Sequence, residues 1–239
     1  MTARRFANPI FVALDTPDLA LATALVNAVR PYVGGVKVGL EFISSLGPAG
    51  VRELVGMGLP VFADVKLHDI PNTVSGAVRE VAKLGVAMLN VHAAGGEAML
   101  RAAKEAAASV DPKVRVLAVT VLTSMTDDDL RAVGQGDSVA LQVGRLARLA
   151  QTCGLDGVVC SPREIEVVRR ACGDEFLVVT PGVRPAGAAL ADQRRVMSPR
   201  EAIAYGADIL VIGRPITAAI NPAEAAAAIA EDVAPARAA

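Results

Sequence analysis

Short apolar stretches alternate with longer amphipathic ones along nearly the whole chain. The apolar stretches fall at residues 10–14, 35–38, 60–63, 87–91, 114–121, 157–160, 176–180 and 208–212, and most are rich in Val, Ile and Leu with little polar alternation. Strands buried on both faces have this pattern. Between them lie Ala-, Leu-, Glu- and Arg-rich segments with helical spacing. Thr16-Pro17-Asp18, Ser161-Pro162-Arg163-Glu164, Ser198-Pro199-Arg200-Glu201 and Asn221-Pro222-Ala223-Glu224 each set a capping residue before proline, and the last three add an acid two residues after it. Gly58, Gly85, Gly154, Gly173 and Gly206 stand where these helices would end.

Eight strand–helix units in 239 residues predict an α/β chain of the (β/α)8 TIM-barrel class. A single domain over residues 1–239 is expected, with its active site at the C-terminal ends of the strands. An open doubly wound sheet is the structural alternative. It usually carries a glycine fingerprint after its first strand, where this chain has Asp15-Thr16-Pro17. No linker or break in composition interrupts the pattern, and the Ala-rich stretch from Pro222 reads as a last helix with a frayed end.

Composition narrows the partners. With 53% hydrophobic residues the chain is globular. Aromatics are 3%, Trp is absent and net charge is −1, which argues against nucleic acid and against a membrane surface as partner. Cys153, Cys160 and Cys172 are an odd set without CxxC spacing, so neither a disulfide framework nor a thiolate metal site is expected, and a cytoplasmic setting is. Arg4 and Arg5 precede an apolar stretch that Asp15 breaks early, so no signal peptide is expected. No run approaches the roughly 18 apolar residues of a spanning helix.

Charge collects at the ends of the predicted strands. Asp15 follows the first, Lys37 lies in the second, and Asp64 and Lys66 end the third. His92, Thr123, Arg184 and Arg214 follow the fourth, fifth, seventh and eighth. In a barrel these ends share one mouth. Each residue also has a plainer reading: Asp15 as a helix starter, Lys37 as a snorkelling strand-end lysine, His92 as a hydrogen-bonded structural histidine, and His68 as a loop-orienting residue. The segment Asp64-Val65-Lys66-Leu67-His68-Asp69-Ile70-Pro71-Asn72-Thr73 is harder to read plainly. Strand alternation predicts Asp64 and Lys66 on one face, and two acids around one amine at a buried strand end are costly to desolvate. Arg214, after Gly213, is suited to grip a phosphate. The connection from Arg184 through Gln193 to Arg195 reads as a lid over an anion.

These residues resemble the bacterial orotidine 5′-phosphate decarboxylase family. The likeness runs in order from Phe11-Val12-Ala13-Leu14-Asp15 and Val36-Lys37-Val38-Gly39 through the segment from Asp64 to Thr73. It continues through Val121-Leu122-Thr123-Ser124-Met125, Thr180-Pro181-Gly182-Val183-Arg184-Pro185 and Asp192-Gln193-Arg194-Arg195-Val196, and ends at Gly206-Ala207-Asp208 and Val211-Ile212-Gly213-Arg214-Pro215-Ile216-Thr217. It implies cofactor-free and metal-free decarboxylation of orotidine 5′-monophosphate to UMP, the last step of de novo pyrimidine synthesis. It implies Lys66 as proton donor to C6, with Asp64, Asp69 and Lys37 as charged partners. Asp15, Lys37, Asp64, Thr73, Thr123, Pro181, Arg184, Gln193, Gly213 and Arg214 would bind substrate. It also implies a homodimer in which Asp69 and Thr73 complete the site of the other subunit. Two rivals remain: a Mg²⁺-dependent sugar-phosphate decarboxylase or aldolase sharing the Asp-x-Lys-x-x-Asp pattern, and a barrel that binds a nucleotide without turning it over.

Overall fold

The computed structural model describes residues 6–136, 138–185 and 197–238, the last four of them as backbone alone. Eight parallel strands close a barrel in chain order: β1 (Ile10–Ala13), β2 (Gly35–Val38), β3 (Val61–Leu67), β4 (Met88–His92), β5 (Arg115–Val119), β6 (Gly157–Val159), β7 (Leu177–Pro181) and β8 (Ile209–Ile212). β8 returns to β1 with Phe11 opposite Val211 and Val12 opposite Ile212. The helices are α1 (Leu19–Val29), α2 (Leu40–Gly56), α3 (Pro71–Ala82), α4 (Gly96–Val110), α5 (Asp127–Ala132), α6 (Val139–Thr152), α7 (Ile165–Cys172), α8 (Pro199–Ala204), α9 (Arg214–Thr217) and α10 (Pro222–Ala238). The expected (β/α)8 class is therefore the observed one.

The strands alternate between two apolar layers. Ile10, Val12, Val36, Leu89 and Val91 join the cluster between sheet and helices, whereas Phe11, Phe62, Met88, Leu117, Leu177 and Ile209 fill the barrel interior. Phe6 meets Phe11 edge-on, with ring centroids 5.1 Å apart, and the Arg115 guanidinium lies 4.5 Å over Phe6. The lower barrel is thus a packed core and not a pore.

Two carboxylates lock the lower rim in the same way. Asp156, just before β6, accepts from the Val116 N–H at 2.8 Å and the Lys104 ammonium at 2.6 Å. Asp208, just before β8, accepts from the Val178 N–H at 2.8 Å and the Arg169 guanidinium at 2.6 Å. Each ties the strand before it to a helix, and each follows a Gly-x sequence that stops a helix. The five glycines expected at helix ends all have positive φ, from 76° to 106°, a region that side chains disfavour.

Ser161 and Ser198 form capping boxes with Glu164 and Glu201, and Asn221 accepts from the Ala223 and Glu224 N–H groups at the start of α10. At α1 the cap is Asp18, which accepts from Ala20 and Leu21, rather than Thr16, whose hydroxyl accepts from the Asp18 N–H. A carboxylate is the stronger acceptor for the unsatisfied N–H groups of a first turn. α2 is kinked where Gly47 (φ 60°) precedes Pro48. β3 runs to Leu67, one residue past Lys66 where the third strand was expected to end, and the larger departure is an irregularity within it, between Ala63 and Leu67. No described helix is long and apolar enough to cross a membrane.

Candidate active site

The upper end of β3 is irregular. Ala63 lies opposite Leu89 and Leu67 opposite Val91, so four steps along β3 match two along β4. The extra length is taken up around Lys66, whose φ of 48° is the one positive value at a residue other than glycine among those described. This bulge changes the reason why Asp64 and Lys66 meet. Plain alternation was expected to bring them together. Instead a bend folds the Lys66 side chain back until Nζ lies 2.6 Å from Asp64 Oδ1. Bulges re-aim side chains in this way.

From Asp64 the charges alternate toward β1. Lys37 Nζ lies 3.7 Å from Asp64 Oδ2 and 2.7 Å from Asp15 Oδ1. Lys37 is 7% exposed, and the snorkelling reading fails for it because its ammonium is held between two acids. Asp15 does not start α1, and the Leu14 N–H bonded to the Lys37 carbonyl at 2.9 Å fixes its approach. Burial pushes the Asp64 carboxyl up. The charges of Lys66 and Lys37, with hydrogen bonds from Lys66 and Asn90, outweigh that and hold it below the ordinary carboxylate value. The mouth therefore carries a fixed chain of charges, Asp15–Lys37–Asp64–Lys66. Such an arrangement can stabilise charge that develops during a reaction.

The remaining candidates surround this chain. Asp69 is exposed on the β3–α3 connection, accepts from the Ile70 N–H at 2.6 Å, and makes no ion pair with Lys66 among the described residues. Thr73 is exposed in the first turn of α3, and Thr123 is exposed in the turn after β5. Pro181 ends β7 opposite Val211 of β8, which brings the two following loops together. In the first, Arg184 is 7% exposed and its Nε has no hydrogen-bond partner among the described residues. In the second, among the described residues a Cβ on Gly213 would meet only the Ala13 Cβ, at 3.5 Å. Arg214 begins α9. Gln193 and most of the expected lid lie outside the described residues. His92 ends β4 and its ring centroid is 5.5 Å from that of His68. Burial holds it below the ordinary imidazole value, with His68 and Lys66 pushing the same way and Asp64 opposing.

The model of the orotidine 5′-phosphate decarboxylase / HUMPS family matches residues 8–229. The chain belongs to this family. Among its relatives, the orotidine 5′-phosphate decarboxylase of Moorella thermoacetica is 58% identical over 95% of this chain and 92% of its own length. That of Rhodospirillum rubrum is 54% identical over 97% of this chain and 96% of its own. The crystal structure of orotidine 5′-phosphate decarboxylase from Lactobacillus acidophilus superposes with a TM-score of 0.85 at 37% identity, covering 95% of this chain and 99% of that one.

Two features of this family member's mouth escaped the sequence reading. Asn90 is fully buried in β4 and hydrogen-bonds both the Asp64 carboxylate and the Lys66 N–H. Its signal was an amide inside an otherwise apolar stretch. Gly39 follows β2, and a Cβ there would come within 2.9 Å of both Asp15 Oδ1 and Lys37 Nζ. Glycine is therefore what lets that ion pair form over the backbone.

Proposed function

We propose that the chain decarboxylates orotidine 5′-monophosphate to UMP without a cofactor, with Lys66 donating the proton to C6. The observation that carries this reading is the alternating charge chain at the mouth of a barrel of this family. The C6–carboxylate bond breaks, carbon dioxide leaves, and the electron pair stays on C6. The Lys66 ammonium beside it stabilises the pair and then gives its proton to C6, and the resulting amine recovers a proton from water. Asp64, held anionic, pairs with the Lys66 ammonium at 2.6 Å. In the ground state it competes with the substrate carboxylate for the same ammonium, and loss of carbon dioxide ends that competition, so the Lys66 interaction grows toward the transition state.

A proton donor accounts for about 10²–10⁴ in rate, and each further tenfold needs about 1.4 kcal/mol. The rest falls to fixed charge and to binding at the remote phosphate. Arg184, Gly213 and Arg214 form that phosphate site, supported by the Arg184 Nε without a partner and the uncrowded Gly213 among the described residues; Gln193, which lies outside those residues, is proposed to bind the phosphate as well. Asp15 and Lys37 hold the ribose hydroxyls, while Thr123 and Pro181 border the pyrimidine. The single barrel domain over residues 1–239 works as a homodimer in the cytoplasm. Asp69 and Thr73 complete the partner's site; their exposure, and that of Ile70 at 67%, supports this.

A Mg²⁺-dependent reaction is less well supported. Asp15 and Asp64 are already engaged by two ammonium groups, which would repel a divalent cation. The deciding assay follows the absorbance of orotidine 5′-monophosphate with EDTA present. Conversion to UMP is expected to continue. Conversion that stops with EDTA and returns with Mg²⁺ would favour the metal-dependent rival, and tight binding without conversion the inactive barrel. For the shared site, mixing the inactive Lys66→Ala and Asp69→Ala proteins should restore activity by forming hybrid dimers with one intact site. No restoration after subunit exchange would place Asp69 in its own subunit's site.

A further inference from the structure

We infer that Asn90 is a positioning residue for this reaction: its side-chain amide sets the bulge that aims Lys66 and fixes the carboxylate that Lys66 grips. The inference rests on the reading of Lys66 as the reacting group.

Asn90 follows Met88 by two on β4, and Met88 faces the barrel interior, so Asn90 faces inward as well, with 0% exposure. An amide at such a depth is costly unless both its ends are bonded. Here both are. Oδ1 accepts from the Lys66 N–H at 2.8 Å, and Nδ2 donates to Asp64 Oδ1 at 2.7 Å. The partners fix the orientation of the amide, because an N–H needs an acceptor and a carboxylate needs a donor.

The bond to Lys66 replaces a ladder bond. Where β3 bulges away from β4, the Lys66 N–H has no strand carbonyl opposite it, and the Asn90 side chain reaches across to satisfy it. It does so at the residue whose φ is 48°, a conformation that non-glycine residues hold only when the surroundings determine it. The second bond acts on the same unit from its other side. Asp64 Oδ1 is the atom that Lys66 Nζ grips at 2.6 Å, and Asn90 holds that oxygen in place. One neutral amide thus determines the backbone of the proton donor and the position of its counter-charge without contacting substrate. An aliphatic side chain of the same size would fill the space and do neither.

The test compares Asn90→Leu and Asn90→Asp with wild type and with Lys66→Ala, using kcat, KM and pH profiles on orotidine 5′-monophosphate. Asn90→Leu should lower kcat by about ten- to hundredfold, the scale of a buried group left unbonded, with KM within about threefold. Asn90→Asp keeps the acceptor for Lys66 but puts a second carboxylate against Asp64. Two such groups share a proton, so its kcat should fall with rising pH through an ionisation absent from wild type. A role in packing alone would leave kcat of the similarly sized Asn90→Leu near that of wild type. The inference is overturned if Asn90→Leu keeps kcat within about twofold, if its loss appears equally in KM, or if the Asn90→Asp profile superposes on that of wild type. Should Asn90→Leu fail to fold, the Asn90→Asp profile decides. Activity retained by Lys66→Ala would remove the underlying reading, whereas an inactive Lys66→Ala beside an unaffected Asn90→Leu would remove only this inference.

Discussion

Replacing Gly39 by alanine tests the charge chain without removing any charge. The backbone there has φ −101° and ψ −170°, extended values that alanine adopts freely, so the fold loses little. The new methyl would start 2.9 Å from both Lys37 Nζ and Asp15 Oδ1, which are themselves 2.7 Å apart. It must push at least one of them away. Parting the pair by about 1 Å weakens it by about 1.7 kcal/mol at an effective dielectric of about 20. Asp15 is half exposed, and solvent screening reduces the loss to about 1 kcal/mol, or about fivefold in kcat/KM. Initial rates with orotidine 5′-monophosphate measure this directly, with a thermal melt as control. In an Asp15→Asn background the same substitution should cost less, because the ion pair is already gone, and a double-mutant cycle isolates the coupling. A Gly39→Ala enzyme with unchanged kcat/KM, or with equal losses in the two backgrounds, would refute the assignment of Asp15 and Lys37 to one functional pair.

Other substitutions separate chemistry, binding and stability. Lys66→Ala should reduce turnover to well below a tenth while UMP still binds, as read by absorbance and by titration calorimetry. Arg214→Ala should weaken UMP far more than uridine, and equal losses would remove it from the phosphate site. At the opposite rim, Asp208→Ala removes the counter-charge of the Arg169 guanidinium, which keeps its bonds to the Gly206 and Phe176 carbonyls, and leaves the Val178 N–H without its acceptor; it should cost about 3 kcal/mol in urea unfolding, with KM unchanged. His92 has a lowered folded-state pKa, so the unfolded chain takes up its proton first as pH falls. Its contribution is full above the ordinary imidazole value of 6.5 and is lost as pH falls below it. His92→Gln should therefore flatten the fall in stability on acidification from about pH 7 to 5, and an unchanged slope would contradict the burial assigned to this ring.

The strands were legible because both their faces are buried, which leaves runs of Val, Ile and Leu that helices would interrupt. The closing half of β3 was legible as strand, but its bulge was not. Its residues are charged, its backbone leaves the extended region at Lys66, and no periodicity describes a bulge. Asp15, Lys37, Asp64 and Lys66 could be found because charge at a buried strand end is conspicuous. Asn90 could not, because its meaning lies in partners 24 and 26 positions away on another strand. Gly39 stood in the sequence only as the last residue of Val36-Lys37-Val38-Gly39, and nothing there says that an ion pair crosses its backbone. Asp69 was read as part of one cluster with Asp64 and Lys66, yet in this chain its carboxylate turns to the adjacent backbone N–H.

The apolar filling of the lower barrel bears on the strength of the charges above it. Phe11, Phe62 and Met88, at most 1% exposed, pack as an apolar floor beneath the charge chain. Field lines that would spread into solvent on all sides are instead turned upward, toward the open mouth. The barrel acts as a one-sided insulator, and each charge acts on a bound molecule more strongly than it would on a flat surface. A polar replacement of Phe62 would let that field leak downward and weaken the site from beneath, with every charged residue still in place.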